Sequence, residues 1–282
     1  MKRLAVLGHP IAHSLSPTMH GAALAALGVE ATYEARDVAP EALPSAIEDL
    51  REGRLAGANV TLPHKVAVTA LCDRLEEDAR AIGAVNTLLV EAGALVGANT
   101  DAEGLFASLG AHAAGLRGRP VVVLGAGGAA RAALAVARRL GSGHITVAAR
   151  DRDKAGLLAA GDRSIDAIAL VDADALRAAF SRAALLLQAS SATMGEGALR
   201  FVGSLPLEAL PSDAVVTDLV YRPRQTALLH ASGARGLATV DGTEMLVRQG
   251  AASLSRWLAR PVDEIPLAPM RAALLAALVD SP

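Results

Sequence analysis

Three observations predict an α/β protein built as two domains. Short apolar runs alternate with longer helical patterns through most of the chain, the signature of parallel strands joined by crossover helices. The run Val121-Val-Val-Leu-Gly125-Ala-Gly127-Gly128-Ala-Ala130 sets a strand, a glycine-rich turn and a helix start in succession. A length of 282 residues, 52% of them hydrophobic and rich in alanine, suffices for about two cores of ordinary size, with a cleft expected between them.

Strands are expected over Leu4 to Gly8, Tyr33 to Asp37 and Gly57 to Thr61, each followed by a helix. Those helices should start at Ser16-Pro17, Pro40-Glu41 and Thr61-Pro63, pairs in which a capping residue or a proline suits the first turn. The stretch from Asn86 to Asn99 carries two apolar arms around Glu91-Ala92-Gly93 and reads as a β-hairpin. Folded about that turn it sets Asn86 opposite Asn99 and brings Asp101 to the same end. The polar stretch Leu116 to Arg119 precedes a second α/β unit, whose strands include Val121 to Leu124 and His144 to Ala149. Helical periodicity returns from Thr243 through Trp257 and from Pro269 to Val279.

Composition narrows the function. Aromatic residues are 2% of the chain, so base stacking is an unlikely mode of recognition, and a net charge of -2 with both signs scattered gives no footprint for nucleic acid or a membrane surface. No stretch reaches the roughly 20 uninterrupted apolar residues of a membrane span. The opening apolar run breaks at Gly8, which reads as the first strand of a cytoplasmic protein rather than a leader. One cysteine, Cys72, excludes a disulfide framework within the chain and is expected to pack as a small apolar group. His9, His13 and His64 lack partners at metal-ligand spacing, so no metal is expected. The expected partner is a small molecule, with the protein a monomer or homodimer.

Within the glycine-rich turn, Gly125 permits the bend, Gly127 admits a pyrophosphate to the backbone, and Ala130 allows close packing of helix on strand, with the helix N-terminus attracting phosphate. After the next strand come Arg150-Asp151-Arg152-Asp153-Lys154, where an adenosine ribose would lie. Arginines there suit a 2′-phosphate and an acid suits a free 2′-hydroxyl. The chain supplies both, which favours NADP and leaves NAD open; Asp151 also reads as a helix cap.

A second polar group stands apart from that loop. Only three of the 27 cationic residues are lysines, and one is Lys65, in Asn59-Val-Thr-Leu-Pro-His-Lys65. A helix starting at Thr61-Pro63 would face Lys65 with the positive end of its dipole, a placement disfavoured by roughly 0.3–1 kcal/mol at exposed sites. A lysine that can release its proton, unlike arginine, is a usable acid and base. His13-Ser14-Leu-Ser16-Pro17 sets two hydroxyls at a helix N-terminus, a carboxylate pocket in outline, with Ser16 also a plain N-cap and Ser14 without a capping role. Asp101 too would serve as an N-cap, yet with Lys65 it would make an acid–base pair at a substrate hydroxyl.

Seven ordered patches carry a resemblance: Gly8-His-Pro-Ile-Ala-His-Ser14-Leu-Ser16-Pro, Asn59 to Lys65, Gly83-Ala-Val-Asn86-Thr, Gly97-Ala-Asn-Thr-Asp101, Gly125-Ala-Gly-Gly-Ala-Ala-Arg, Asp218-Leu-Val-Tyr221 and Met245-Leu-Val-Arg-Gln249-Gly. Over essentially its full length the chain resembles the shikimate dehydrogenase family. The resemblance implies an oxidoreductase of the shikimate pathway of aromatic amino acid biosynthesis, reducing 3-dehydroshikimate to shikimate reversibly with NADPH. It implies a substrate domain with a mostly parallel sheet, residues 1–103 plus 243–282, and a Rossmann-type dinucleotide-binding domain, residues 104–242. By the same resemblance Ser14 and Ser16 would bind the ring carboxylate, Thr61, Asn86 and Gln249 the ring hydroxyls, and Tyr221 would line the cleft. Lys65 and Asp101 would be catalytic. Gly125, Ala126, Gly127, Gly128, Ala129, Arg150, Asp151, Arg152, Ser190, Leu219, Gly242 and Met245 would contact the cofactor.

Two departures from the family pattern fall in the cofactor half. The usual Asn-Arg-Thr after the second cofactor strand is Ala149-Arg150-Asp151, and the usual Asn-Ala-Thr-Ser is Gln188-Ala-Ser-Ser191. Alternatives are a quinate/shikimate dehydrogenase using NAD, against which the two serines lean, and a non-catalytic metabolite sensor of the same fold, which would have lost Lys65 or Asp101.

Overall fold

Along the first strand, β1 (Lys2–Gly8), Leu4 and Val6 join one apolar cluster while Ala5 and Leu7 join another, so the strand is covered on both faces. The structure, a computed structural model, describes residues 1–279, which fall into two units. One unit is Met1–Gly104 with the chain from Leu246 onward, and the other is Leu105–Met245.

In the first unit β1 leads to α1 (Ser16–Ala26), β2 (Ala31–Asp37), α2 (Leu43–Arg51), β3 (Gly57–Val60), the short β4 (Arg74–Leu75), α3 (Glu77–Ile82), β5 (Thr87–Glu91), β6 (Ala94–Ala98) and the start of α4 (Asp101–Ser108), which runs on into the second. The sheet runs β2-β1-β3-β5-β6-β4. Its β2-β1-β3 half is parallel, and β5 and β6 form an antiparallel hairpin inserted beside β3. The predicted register holds: Thr87 pairs with Ala98 and Glu91 with Ala94, around a two-residue turn at Ala92-Gly93 with φ of 50° and 81°. Asn86 and Asn99 therefore stand opposite each other.

The second unit continues through α5 (His112–Gly115), β7 (Val121–Leu124), α6 (Gly128–Arg139), β8 (Ile145–Ala149), α7 (Arg152–Ala159), β9 (Ile165–Ala169), α8 (Ala173–Phe180), β10 (Leu185–Gln188), α9 (Ala198–Gly203), β11 (Val215–Asp218), α10 (Ala227–Ala234) and β12 (Ala238–Val240). All its strand pairs are parallel, in the order β9-β8-β7-β10-β11-β12, the doubly wound arrangement of dinucleotide-binding sheets. Strand order reverses between β7 and β10, where such sheets take ligands beyond their carboxyl ends. Two final helices follow, α11 (Gly242–Leu258) and α12 (Leu267–Val279).

From α11 and α12, Val247, Leu254, Trp257, Met270 and Leu274 pack with Met19 and Leu24 of α1 on the Leu4 and Val6 face of the first sheet. Leu43, Ile47 and Leu50 of α2 cover the other face. At about 25 cal/mol per Å² of apolar surface, each fully buried leucine here contributes on the order of 2 kcal/mol.

Two predicted helix starts are corrected. Residues 62–66 form turns that lead into a 3-10 helix at Ala67–Leu71, not an α-helix from Thr61-Pro63. With no α-helix there, the dipole argument for Lys65 falls. At Pro40 the chain first makes a 3-10 turn, Pro40–Ala42, before α2 begins. Cys72 is half-buried rather than fully packed, and its Sγ lies 3.3 Å from the Val68 carbonyl oxygen. Burial pushes its thiol up to about 11, which leaves it unreactive at neutral pH.

Candidate active site

The carboxyl ends of the parallel strands set the site in the first unit. Leu7 of β1 pairs with Val60 of β3, so the chain leaves both strands at the same sheet edge. The exits are tied together, His9 N–H to the Leu62 carbonyl and Thr61 N–H to the Leu7 carbonyl, each at 2.9 Å. Because β5 runs antiparallel to β3, its first residue and the last of β6 lie at that edge too. Ser14, Ser16, Thr61, Lys65, Asn86 and Asp101 thus share one edge of one sheet.

A turn carries Lys65. Its carbonyl accepts from Val85 N–H at 2.8 Å, and His64, which is buried, has Nε2 2.6 Å from the Val38 carbonyl oxygen. These bonds fix the turn against the start of β5. The Lys65 Nζ then donates to Asp101 Oδ2 at 2.6 Å, with side-chain exposures of 15% and 5%. An ion pair so far removed from water is costly to desolvate, so its presence is weak evidence for stability.

Asp101 is the first residue of α4 and is held from three sides. Asn86 Nδ2 donates to Oδ1 at 2.9 Å, Lys65 donates to Oδ2, and Asp101 N–H donates to Asn99 Oδ1 at 3.0 Å. The orientation of Asn86 follows from its other end, since Thr100 N–H donates to Asn86 Oδ1 at 2.8 Å and only an oxygen can accept it. Gln249 of α11 completes the group, its Oε1 lying 3.2 Å from Asn86 Nδ2. Lys65, Asp101, Asn86 and Gln249 are therefore one hydrogen-bonded constellation.

Ser14, Ser16 and Thr61 share the edge without hydrogen bonds to those four. Ser14 has a capping role after all: its Oγ accepts from the backbone N–H of Ser16, the first residue of α1, at 3.3 Å. Ser16 is inside the helix and buried, not its N-cap, and Leu15 occupies that position. Sequence reasoning missed Asn59, Thr87, Thr100 and Ser253, a buried polar group directly under Asn86. The available signal was Asn59, a polar residue in an otherwise apolar buried strand, Gly57-Ala-Asn-Val60.

In the second unit, the glycine loop leaves β7 at the strand-order reversal. Gly125 has φ of +123°, and a Cβ there would meet the Ala189 carbonyl oxygen at 2.9 Å, so no other residue fits without moving the chain just beyond β10. Gly127 is exposed in the N-cap position and α6 begins at Gly128, so the backbone N–H groups of the first turn have no intrahelical partner, the arrangement that suits a phosphate. Beyond β8, Arg150 and Arg152 are exposed, and neither forms an ion pair among the described residues. Asp151 is the N-cap of α7, its Oδ1 accepting from Asp153 and Lys154 N–H at 3.1 and 3.2 Å. With the acid occupied by its own helix and two arginines open, the donor set fits a 2′-phosphate.

Ser190 caps a 3-10 turn after β10, and its hydroxyl donates to buried Gln188 at 3.1 Å. Leu219 lies against Gly242, where an added Cβ would come within 2.5 Å of its carbonyl oxygen. Tyr221 is half-buried in the loop after β11, and Met245 is buried near the start of α11. Asp218 anchors that loop, accepting from Val220 N–H at 3.0 Å and Thr226 Oγ at 2.8 Å, and burial pushes its carboxyl up from the usual range. No group of three or more metal-ligating side chains occurs among the described residues, and none of their helices is long and apolar enough to cross a membrane.

Comparison with known proteins gives these units relatives. A family profile described as the shikimate dehydrogenase substrate binding domain matches residues 6–88. The shikimate dehydrogenase (NADP(+)) of Symbiobacterium thermophilum is 43% identical, over 99% of this chain and 95% of its own length. Among solved structures, shikimate 5-dehydrogenase from Thermus thermophilus, in complex with NADP(H) and shikimate, is 38% identical with a TM-score of 0.82, covering 98% of this chain and 100% of that one. Quinate dehydrogenase from Corynebacterium glutamicum, in complex with NAD, is 27% identical with a TM-score of 0.83, covering 98% and 99%.

Proposed function

This chain belongs to the shikimate dehydrogenase family, and we propose that it interconverts 3-dehydroshikimate and shikimate with NADP(H), using Lys65 and Asp101 as the proton-handling pair. The observation that carries the residue assignment is the 2.6 Å bond between Lys65 Nζ and Asp101 Oδ2 in a nearly dry site beside Asn86 and Gln249.

NADPH, when bound, supplies the hydride. Gly125 to Ala129 and the N-terminus of α6 would hold its pyrophosphate, and Arg150 with Arg152 the 2′-phosphate; Ser190, Leu219, Gly242 and Met245 belong to the same end of that unit's sheet. Lys65 Nζ would donate its proton to the ring ketone oxygen in the reductive direction and receive it back in the oxidative one. Asp101 keeps the ammonium aimed and balances its charge, and Asn86 keeps Asp101 in place. Ser14 and Ser16, at the N-terminus of α1, would take the substrate carboxylate. Thr61, Asn86 and Gln249 would hold ring hydroxyls, with Tyr221 a further substrate contact. One free cysteine, which burial keeps protonated, suits a reducing compartment and supports a cytoplasmic location.

The test is an initial-rate comparison following the absorbance of NADPH or NADH, with shikimate and quinate each paired with NADP and NAD. Shikimate with NADP should give the highest kcat/KM of the four. A higher value for quinate with NAD would replace this reading by quinate oxidation, and absence of turnover in all four would reject it.

A further inference from the structure

The hydroxyl of Ser253 sits at a junction that no step above uses. It is fully buried on α11, four residues after Gln249 and so on the same helix face. Its Oγ accepts from Asn59 Nδ2 at 2.9 Å, lies 2.8 Å from Thr87 Oγ and 3.3 Å from Thr100 Oγ, and donates to the Gln249 carbonyl at 3.0 Å. Those partners lie on β3, at the start of β5 and just beyond β6, three consecutive strands of one sheet. One hydroxyl therefore pins α11 onto the sheet beneath the Lys65 and Asp101 pair.

The partners converge on Asn86. Asn59 Nδ2 also donates to the Asn86 backbone carbonyl at 3.0 Å, and Thr87 Oγ lies 3.0 Å from Asn86 Oδ1. Thr100 fixes the same carboxamide through its N–H. On the far side Tyr33 donates its hydroxyl to Asn59 Oδ1 at 2.8 Å, so Asn59 cannot turn away. Gln249 approaches Asn86 from α11, the helix that Ser253 holds.

We propose that Ser253 is a positioning residue: by anchoring α11 to Asn59 and Thr87 it sets the approach of the Gln249 carboxamide to Asn86, and through it the affinity for the substrate hydroxyl. The proposal rests on the assignment of Asn86 and Gln249 as hydroxyl ligands. On that assignment the carboxamide grips a hydroxyl that does not react, in ground and transition states alike, so a slackened helix should raise KM and leave kcat nearly intact.

The experiment is steady-state kinetics on shikimate with saturating NADP for the wild type, Ser253→Ala, Gln249→Ala and the double variant, with melting temperatures beside them. Ser253→Ala should raise the shikimate KM about fivefold, the scale of one buried hydrogen bond, with kcat changed by less than about twofold. In the Gln249→Ala background the same substitution should add almost nothing to KM, because the group it positions is gone. Ser253→Cys keeps most of the volume without a strong hydrogen bond; it should raise KM as the alanine does, and it is the deciding variant if the alanine fails to fold. A wild-type KM in either variant, or a KM rise of equal size with and without Gln249, would leave Ser253 a purely structural residue and overturn the proposal. A wild type that does not oxidise shikimate would instead overturn the function on which it rests.

Discussion

The two sheets end in polar groups of opposite kinds. At the edge of the first, the side chains are buried, Lys65 partly so, and already bonded to one another: Lys65 to Asp101, Asp101 to Asn86, Asn86 to Gln249. At the edge of the second stand the first-turn N–H groups of α6, with Gly127 exposed, and two exposed arginines. A site of the first kind is set before any ligand arrives, so a misplaced atom costs rate. The second offers N–H groups and charges that a phosphate from solvent would satisfy, so on the proposed assignment its changes should cost affinity.

The sharpest way to break that contrast is Lys65→Ala. Loss of a positioned acid–base group should lower kcat about 10²- to 10⁴-fold, while shikimate affinity, measured by fluorescence or calorimetric titration, stays nearly unchanged. A variant with wild-type turnover would remove Lys65 from the chemistry and reduce the buried pair to architecture. Asp101→Asn should also lower turnover strongly, because the ammonium loses the charge that aims it.

Much of this contrast is legible in the amino-acid sequence, for reasons that differ by region. The hairpin register needed only turn position and alternation, so Asn86 opposite Asn99 followed from local sequence. The glycine loop was legible because strand, turn and helix start are contiguous. The segment from Thr61 misled because a threonine and a proline that suit an α-helix start equally suit a turn, and the turn is held by remote bonds from Val85 and Val38. Ser14 was misjudged because its bond spans two residues and caps a helix whose N-cap is an apolar Leu15. Ser253 was invisible for a plainer reason. Its partner Asn59 is 194 positions away, and no periodicity relates them.

Substitution at the second edge should change selectivity rather than rate. Replacing Arg150 by alanine should raise KM for NADP about 10- to 100-fold, the scale of a charge-assisted contact to phosphate. KM for NAD should hardly move, and kcat with saturating NADP should stay near wild type. Equal losses with both cofactors would mean that Arg150 supports the loop and does not read the 2′-phosphate.

The first unit carries a further liability of burial. His20 is completely buried, stacked on Tyr33 with ring centroids 4.1 Å apart, and neither ring nitrogen has a partner. Desolvation lowers its pKa from 6.5 to about 3. The sign follows from proton counting: between those values the unfolded chain binds a proton that the folded protein refuses, so stability is intact above about pH 6.5 and is lost as pH falls towards about 3. This one group should contribute a slope of up to about 1.4 kcal/mol per pH unit in that window. Urea unfolding of wild type and His20→Phe at pH 7.5, 6 and 5 would reveal it, the variant showing the shallower decline. Parallel declines would assign the acid lability to other groups.

The smallest effect divides the two roles that Asp151 was given. As the N-cap of α7 it accepts two N–H bonds, so Asp151→Ala should cost about 1 kcal/mol of stability at neutral pH. Its Oδ1 is committed to the helix, and its Oδ2 lies 3.6 Å from Lys154 Nζ, so its charge faces the helix end and the neighbouring lysine. The ratio of kcat/KM for NADP to that for NAD should therefore change by less than about threefold, far below the loss expected for an arginine that holds the phosphate. Asp151→Asn separates charge from capping, because asparagine caps about as well as aspartate. If the asparagine variant keeps the melting temperature while its preference moves strongly towards NADP, the acid had been repelling the phosphate, and the arginines alone do not set the choice of cofactor.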